Sequence, residues 1–488
     1  MMTVKEVCTE FFKLENEHNL NYIKIQKVYP WELVRLYLYY EITRKLNIFS
    51  SAQQSSVSLF DKFKSFLPFI KNSILYNPLS GKDTYDVLIF NHPRKVLNNG
   101  KYMDIYSYFL GDTLDEMGKS YEIIDSPYLN KHYIKKDKHV KFNDRILLAS
   151  YFYKKTHKIE YTEKESETIR SIETLIRASF GVDVNLFEIF TDHILNFQYE
   201  YEKYKQLLTE KKVRQVYAVV AYENKPLIAA CKDLGVDILE LQHGVISKYH
   251  LGYSYPSENI TLKSGSYEHI EYFPNKILSF GDYWQDASAY PIKKHSIFSI
   301  GFPYFEENSK KYKDVEKKKN QILFISQGVI GKYLSEFAFE LASKLDEEEY
   351  EFIYKLHPGE YETWRENYPK LLKAQKQCNF NVVDNDNPAL YQLFAESEYQ
   401  VGAFSTAIYE GLAFNCKTFI VDVPGIEYLD DLIEKNIVVK VRNSNDMINK
   451  LNDLDLNSYN TDFFFKNYDE QLLKDIILND NIMRAHNE

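Results

Sequence analysis

The chain has 488 residues, too many for one ordinary hydrophobic core, so its length predicts two or three domains. Its 44% hydrophobic and 27% charged residues are typical of a globular protein. A formal net charge of -10 excludes a general nucleic-acid binder, because such proteins need a basic surface. No uncharged apolar run in the sequence reaches the length of about 18 residues that a membrane span requires.

Residues 1–80 are predicted to form an N-terminal helical extension, because residues 31–48 carry apolar side chains at helical spacing. In residues 58–79, lysines alternate with Phe and Leu. We expect this stretch to dock on the next domain, and peripheral contact with the inner face of a membrane is the alternative. The start resembles no signal peptide and the four cysteines are scattered, so we expect a cytoplasmic protein, or a peripheral one at that membrane face.

Residues 81–308 are predicted to form a Rossmann-like domain around a parallel sheet. Short, mostly apolar, β-prone runs predict strands at 86–90, 216–221, 236–241 and just before Gly281 and Gly301. A helix that ends at Gly235 separates two of these runs, and a strand–helix–strand unit with a short return is typical of parallel pairing.

A charged linker at residues 309–319 precedes a second Rossmann-like domain, predicted at 320–460, and a helical tail at 461–488. Strands and helices alternate regularly in this second domain, and its polar motifs follow directly after the strands. Ligands of open α/β sheets bind beyond the carboxyl ends of the strands. The predicted fold class is therefore α/β, with two Rossmann-like parallel-sheet domains facing a cleft.

The segment 403–415, AFSTAIYEGLAFN, predicts a phosphate and ribose site. Ser405 or Thr406 would cap a helix whose free N–H groups suit a phosphate. Glu410 shares the helix face of Thr406, and its carboxylate would accept hydrogen bonds from ribose hydroxyls. A capped helix with a solvated Glu410 is the simpler alternative.

Two further strand ends complete the predicted donor side. One precedes Gln327 and Gly328, and the other precedes His357 and Pro358. In YKLHPGE, a histidine and a lysine end a strand, and both residues can donate to phosphate oxygens. The predicted donor-binding residues are Gln327, Gly328, Lys355, His357, Pro358, Ser405, Thr406 and Glu410.

The stretch ELQHGVISKYH, residues 240–250, ends a predicted strand on His243. An imidazole titrates near neutral pH, so His243 is a candidate general base, and Glu223 after the preceding strand is a second. A loop histidine bonded to a neighbouring carbonyl is the plain alternative. The predicted acceptor side comprises His92, Arg94 and Lys95, which would receive an anionic acceptor or form a solvated basic loop, together with Gln242 and His250.

A strand followed by His-Pro-Gly, then Ser-Thr-x-x-x-Glu-Gly-Leu, after a domain with strand-Gln-His-Gly, resembles bacterial glycosyltransferases of the GT-B type that build capsule, O-antigen or other surface polysaccharide. The His-Pro and Ser/Thr motifs are similar to those of sialyl- and Kdo-transferases, which use CMP-sugars. The His-Gly motif is similar to that of CDP-glycerol glycerophosphotransferases. The resemblance covers about residues 85–445. It implies that His357, Ser405 and Thr406 hold a donor phosphate, that Glu410 holds the ribose, and that His243 faces the cleft.

The sequence predicts transfer without a metal or other cofactor, because no Asp-x-Asp falls at a strand end and no His/Cys/carboxylate cluster has ligand spacing. The expected partners are a nucleotide-sugar donor, with a CMP-sugar favoured over a UDP-sugar, and a saccharide or lipid-linked saccharide acceptor. Three alternatives stay open: a CDP-polyol phosphotransferase, a sugar-nucleotide 2-epimerase and a non-enzymatic GT-B-like binding protein. The stereochemistry of transfer stays open as well.

Overall fold

The computed structural model describes residues 2–49, 68–81, 83–98, 100–128, 131–255, 270–328, 330–377, 379–452 and 454–478. Within these ranges the strands are β1 (Val87–Phe90), β2 (Val96–Asn98), β3 (Lys101–Met103), β4 (Tyr121–Asp125), β5 (Val140–Phe142), β6 (Gln215–Val219), β7 (Asp237–Leu241), β8 (Lys276–Ser279), β9 (Ile297–Ser299), β10 (Lys318–Ile325), β11 (Glu351–Lys355), β12 (Phe380–Val383), β13 (Ser397–Gly402), β14 (Lys417–Val421) and β15 (Val439–Val441).

The helices are α1 (Val4–Glu17), α2 (Pro30–Lys45), α3 (Tyr108–Glu116), α4 (Asp144–Thr156), α5 (Glu163–Phe180), α6 (Leu186–Lys211), α7 (Lys225–Leu234), α8 (Pro303–Ser309), α9 (Gly331–Ala342), α10 (Trp364–Asn367), α11 (Pro369–Ala374), α12 (Leu390–Glu396), α13 (Thr406–Ala413), α14 (Asp430–Glu434), α15 (Ser444–Asn452) and α16 (Glu470–Leu478). Residues 68–75 are also helical. Of the stretch 58–79, residues 58–67 lie outside the described ranges. Among the described helices, none combines the length and the apolar character needed to cross a bilayer.

The first lobe is built on a seven-stranded sheet in the order β5-β4-β1-β6-β7-β8-β9, with every neighbouring pair parallel. The chain leaves β1 for β4 and β5 on one side, and then places β6 on the other. The order of strands therefore reverses between β1 and β6. A crevice opens at such a point because successive connections leave in opposite directions.

The second lobe is built on a six-stranded parallel sheet in the order β12-β11-β10-β13-β14-β15. Here the order reverses between β10 and β13. The two parallel sheets, with N-terminal helices beside the first, confirm the predicted α/β fold class of two Rossmann-like domains in a GT-B arrangement. A shared apolar core, in which Trp284 and Phe302 of the first lobe cluster with Tyr409 and Phe394 of the second, joins the lobes.

The N-terminal helices α1 and α2 pack against α5 and α6 of the first lobe, where their apolar faces form one core. Arg35 of α2 is fully buried and bonds both carboxylate oxygens of Glu15, at 2.7 and 2.8 Å. The same guanidinium donates to the carbonyls of Leu251 and Ser254. Because a buried cation must be fully paired, this contact fixes the loop that follows β7.

The C-terminal segment returns to the first lobe. Gly281 and Gly301 let it pass at close range, since a Cβ on either glycine would stand 2.6 Å from a carbonyl oxygen, that of Phe463 or Lys466. Helix α16 then packs Leu473 and its neighbours against the face of the first sheet. The last of the described helices thus completes the layer over the first sheet.

Candidate functional site

A cavity of about 490 Å³ lies between the lobes. It sits at the carboxyl ends of β10 and β13, where the second sheet reverses its order, and faces the loop after β7. Its lining includes five residues that were predicted from the sequence: His243, His250, Gln327, Ser405 and Thr406. Gly244, which follows His243, lines it as well. A Cβ on Gly244 would stand 3.7 Å from Thr406 Oγ1, so the two loops face each other directly. The volume is typical of a small-molecule site.

Aromatic side chains close one side of this cavity. Tyr40 and Phe49 come from the N-terminal extension, and Phe404 and Tyr428 come from the second lobe. Phe404 meets Phe49 at 6.3 Å and Tyr428 at 5.6 Å between ring centroids. Tyr39 and Tyr428 share a hydroxyl hydrogen bond of 2.7 Å. The extension therefore forms a wall of the cavity, which the sequence did not indicate.

The helix N-terminus at Ser405 has the geometry expected for an anion site. Ser405 is the N-cap of α13 and its Oγ accepts from Ala407 N at 3.3 Å. Thr406 is the first helical residue, and both side chains are half-buried at the cavity wall. Beside them, Gln327 Nε2 donates to Phe404 O, while its buried Oε1 has no hydrogen-bond partner. The amide oxygen is thus free to accept from a ligand.

The His-Pro-Gly turn presents an exposed imidazole at the end of β11. His357 Nδ1 accepts from Gly359 N at 3.1 Å, which leaves Nε2 for a ligand. Burial lowers the pKa of His357, and the positive charges of Arg94 and Lys355 act in the same direction. Glu360, which the sequence analysis missed, accepts from His357 N at 2.7 Å and from Ser326 Oγ at 3.0 Å. It ties the turn to the end of β10.

Three predicted donor residues hold other positions. Lys355 donates to Tyr361 Oη at 2.6 Å and to Asn385 O, so its ammonium is engaged beside the turn. Gly328 and Pro358 are exposed. None of the three is part of the cavity lining, and neither His357 nor Glu410 is.

Glu410 lies one turn below the helix N-terminus. Tyr391 Oη donates to its Oε1 at 2.9 Å, and burial raises the pKa of Glu410 to about 7. The charge of Glu410 acts on Tyr106 of the first lobe and on Tyr304, so its carboxyl lies close to the contact between the lobes. At neutral pH this carboxyl is poised between its protonated and ionised forms.

His243 stands in the cavity on the side of the first lobe. Its ring stacks on His92 at 5.8 Å between centroids, and Tyr222 Oη lies 3.4 Å from Nε2. Burial lowers the pKa of His243 to about 3, and the charges of His92, His250 and Arg94 add to the effect. The imidazole is therefore neutral at physiological pH, and one of its two nitrogens carries a lone pair.

Behind His243 lie a tyrosine hydroxyl and a buried carboxyl. Tyr253 Oη is 3.5 Å from His243 Nδ1 and 2.5 Å from Glu240 Oε1. Glu240 is 1% exposed, and burial raises its pKa to about 8. Glu240 Oε1 itself lies 4.0 Å from His243 Nδ1, so the carboxyl, the tyrosine hydroxyl and the imidazole form one compact group, an arrangement that can set the tautomer of His243.

The basic loop after β1 divides into two parts. Arg94 is exposed, and its charge acts on both His243 and His357 across the cleft. Lys95 has no exposed side-chain surface, pairs with buried Asp125 and donates to His92 O. This placement removes Lys95 from the acceptor side, because its ammonium is already neutralised inside the lobe.

Gln242 and Glu223 also lie outside the cavity. Gln242 is 1% exposed, and its amide is used internally: Nε2 donates to Gly244 O and Oε1 accepts from Phe280 N, each at 2.9 Å. It shapes the turn that presents His243 and has no free group for an acceptor. Glu223 lines a second, smaller cavity in the first lobe. His250 does line the main cavity, and burial followed by the charge of Arg35 lowers its pKa to about 4.

Among the described residues, no group of three or more His, Cys, Asp or Glu side chains is arranged to hold a metal ion.

The fold and the site define a two-lobed protein with a cavity between the lobes at a helix N-terminus. No protein-family model matches the sequence, and no curated protein matches it either. Among solved structures, the chain is similar to UDP-GlcNAc 2-epimerase from Methanocaldococcus jannaschii, at 11% identity and a TM-score of 0.45, over 80% of this chain and 99% of that one.

Two further solved structures are similar at the same level. One is the wall teichoic acid polymerase TagF, at 11% identity and a TM-score of 0.39, over 88% of this chain and 100% of that one. The other is MurG of Acinetobacter baumannii, at 10% identity and a TM-score of 0.43, over 80% and 98%. Likeness at this level assigns no activity, so the function has to be argued from the residues of the cavity.

Proposed function

We propose that this protein is a glycosyltransferase, which moves a sugar from a nucleotide-activated donor to a saccharide acceptor in the assembly of a bacterial surface polysaccharide. One observation carries the proposal: neutral His243 and the N-terminus of α13 line the same cavity from opposite lobes. A proton acceptor and an anion site therefore share one cavity of about 490 Å³. The resemblance of the sequence motifs favours a CMP-sugar, with a UDP-sugar as the second choice.

The second lobe would hold the donor. The helix N-terminus at Ser405 and Thr406 offers N–H groups and hydroxyls to the phosphate, and His357 offers Nε2. Glu410 accepts from the ribose when it is ionised. The exposed cation of Arg94 adds positive charge from the other lobe. These fixed groups stabilise the negative charge that develops on the departing nucleotide.

The first lobe would supply the base. When Glu240 is ionised, Tyr253 donates to it, and the Tyr253 oxygen can accept from His243 Nδ1–H. The lone pair of the imidazole is then on Nε2, which takes the proton of the acceptor hydroxyl as the new glycosidic bond forms. An anionic donor would raise the low pKa of His243, because it opposes the positive neighbours that depress it. The donor would thus strengthen the base that deprotonates the attacking acceptor hydroxyl.

Transfer of a polyol phosphate from a CDP-linked donor is the second candidate function. The observation that favours it is the position of Arg94, whose charge acts on both His243 and His357. A cation between the two histidines suits a phosphoryl group under attack. In this reaction the diphosphate bond breaks, so CMP and a phosphate-bearing product are released instead of a glycoside.

A nucleotide screen tests the donor site. We expect one of CMP, CDP, UDP, GDP and TDP to raise the melting temperature of the full chain, since a ligand at 100 times its dissociation constant stabilises a protein by about 2.7 kcal/mol. His357→Ala and Thr406→Val should weaken binding by about tenfold each, the loss of roughly 1.4 kcal/mol expected for one phosphate contact. His295→Ala is the matched control. His295 is also exposed, but it belongs to the first lobe and precedes β9, at the amino end of that strand.

Product analysis with the selected donor then distinguishes the functions. A glycoside product supports the proposal, and a phosphate-bearing product supports polyol-phosphate transfer. Interconversion of the sugar nucleotide without an acceptor would indicate a 2-epimerase, and binding without turnover a GT-B-like binding protein. Absence of any nucleotide shift would refute the proposed function.

A further inference from the structure

A second cavity, of about 200 Å³, lies in the first lobe at the carboxyl ends of β1 and β6. These strands flank the point at which the first sheet reverses its order, so this cavity is the counterpart of the main one in the other sheet. Its walls include Asn91 after β1, Ser126 after β4, and Val220 and Glu223 after β6. Both sheets therefore place a cavity at the position where α/β proteins bind ligands.

The polar groups of this second cavity are mainly hydrogen-bond acceptors. Asn143 is 3% exposed; its Nδ2 donates to Tyr204 Oη at 2.8 Å, but its Oδ1 has no partner. The carboxyls of Glu200 and Glu223 stand in the same wall, and burial raises the pKa of Glu200 to about 7. No lysine or arginine is among the described residues that line it. A ligand that fits must donate hydrogen bonds, and these residues offer no cation to pair with an anion.

The wall of the second cavity is continuous with the residues that hold the candidate base. Asn91 precedes His92, whose ring stacks on His243. Glu223 follows Tyr222, whose hydroxyl lies 3.4 Å from His243 Nε2. On each loop, a lining residue of the second cavity is thus the chain neighbour of a residue that contacts the His243 imidazole. A ligand seated there would lie beside the loops that carry His92 and Tyr222, the two side chains in contact with the base.

We infer that the second cavity binds a neutral sugar ring of the acceptor, held through its hydroxyl groups by Asn143, Glu200 and Glu223. The inference rests on the proposed function and specifies its acceptor. The volume admits one pyranose ring, and the walls supply the acceptor atoms that sugar hydroxyls need. It replaces the sequence-based expectation of an anionic acceptor, because Lys95 is paired inside the lobe and the cavity carries carboxyls.

Ligand-observed NMR on the full chain tests the inference, with and without the nucleotide selected by the screen. The probes are methyl glucoside, methyl galactoside, N-acetylglucosamine and glucose 6-phosphate. We expect at least one neutral sugar to bind at millimolar concentration and glucose 6-phosphate to bind more weakly. Glu200→Gln and Asn143→Ala should each weaken the neutral sugar by about tenfold, the effect of one lost charge-assisted or buried hydrogen bond.

Glu202→Gln is the matched control, because Glu202 lies on the same helix α6 but is exposed, and it should leave sugar binding unchanged. Circular dichroism checks that each variant folds, and if Asn143→Ala does not fold, the isosteric Glu200→Gln decides. Both variants should retain nucleotide binding. Failure of every neutral sugar to bind, tighter binding of glucose 6-phosphate, or sugar binding that survives both substitutions would overturn the inference. Sugar binding lost in both variants, in a protein that binds no nucleotide, would refute the proposed function and leave the sugar site standing.

Discussion

Tyr253→Phe is the sharpest test of the group formed by Glu240, Tyr253 and His243. The substitution removes one hydroxyl and leaves the ring in place. The buried Glu240 carboxyl loses its 2.5 Å partner, and its other oxygen already has none. Leaving a buried polar group without a partner costs about 1–3 kcal/mol, so we expect the free energy of unfolding to fall by that amount. His243 also loses the group that fixes its tautomer. General-base catalysis contributes about 10²–10⁴-fold, so we expect kcat to fall by about 10- to 100-fold.

The assay is release of nucleotide from the donor that the screen identifies, measured from pH 6 to 9 beside urea unfolding. Tyr249→Phe is the control, because Tyr249 is also a buried tyrosine on the loop after β7 but packs into the core of the N-terminal helices. It should leave kcat unchanged. A Tyr253→Phe enzyme with wild-type kcat and pH profile would show that Tyr253 does not position the base.

Three further predictions follow from buried groups and from the cavity. Glu240 has its pKa raised from 4.5 to about 8, so its stabilising contribution is complete below pH 4.5 and is lost as the pH rises through 8. Glu240→Gln should therefore flatten the fall in melting temperature between pH 5 and 8.5. Because ionised Glu240 sets the tautomer of His243, kcat should rise as Glu240 ionises, and Glu240→Gln should remove this rise. Arg35→Met should lower the free energy of unfolding by about 3–5 kcal/mol, because it leaves Glu15 buried and unpaired; the double variant Glu15→Leu/Arg35→Met should recover part of this loss in urea unfolding. EDTA should leave nucleotide release unchanged, and loss of turnover restored by a divalent cation would contradict metal-independent transfer.

Strands were predictable where mostly apolar runs filled the core, as at β1, β6 and β7, which are buried along almost their whole length. Strand β4, Tyr121–Asp125, carries two carboxylates as β7 does, but it was missed because it lies outside the strand–helix–strand unit that marked β6 and β7. Both are buried: Glu122 pairs with Lys211 at 2.9 Å, and Asp125 pairs with Lys95 and His132. Charges that find partners from distant elements cannot be recognised from one segment. The same hidden strand explains why Lys95 was assigned to the acceptor.

The site was predictable where its residues end strands, because parallel strands bring their carboxyl ends to one edge. His243, Gln327, Ser405 and Thr406 meet in one cavity for this reason. Glu240 was not assigned because alternation along a strand does not tell which face meets a polar partner. Tyr40 and Phe49 were missed because they belong to an extension whose docking depends on tertiary contacts, such as the Tyr39–Tyr428 pair. The second cavity requires the strand order, which the sequence does not give.

The return of the C-terminal segment to the first lobe has a consequence for how the chain can be divided. The stretch 310–317 between α8 and β10 is largely exposed, while Phe464 and Phe465 lie in the core shared by both lobes and α16 covers the first sheet. The half of the chain that begins at β10 therefore supplies, through its C-terminal segment, part of the hydrophobic core of the first lobe. Two fragments produced separately, divided at about residue 314, should therefore associate and reconstitute the fold. Each fragment lacks part of its packing until the other is bound.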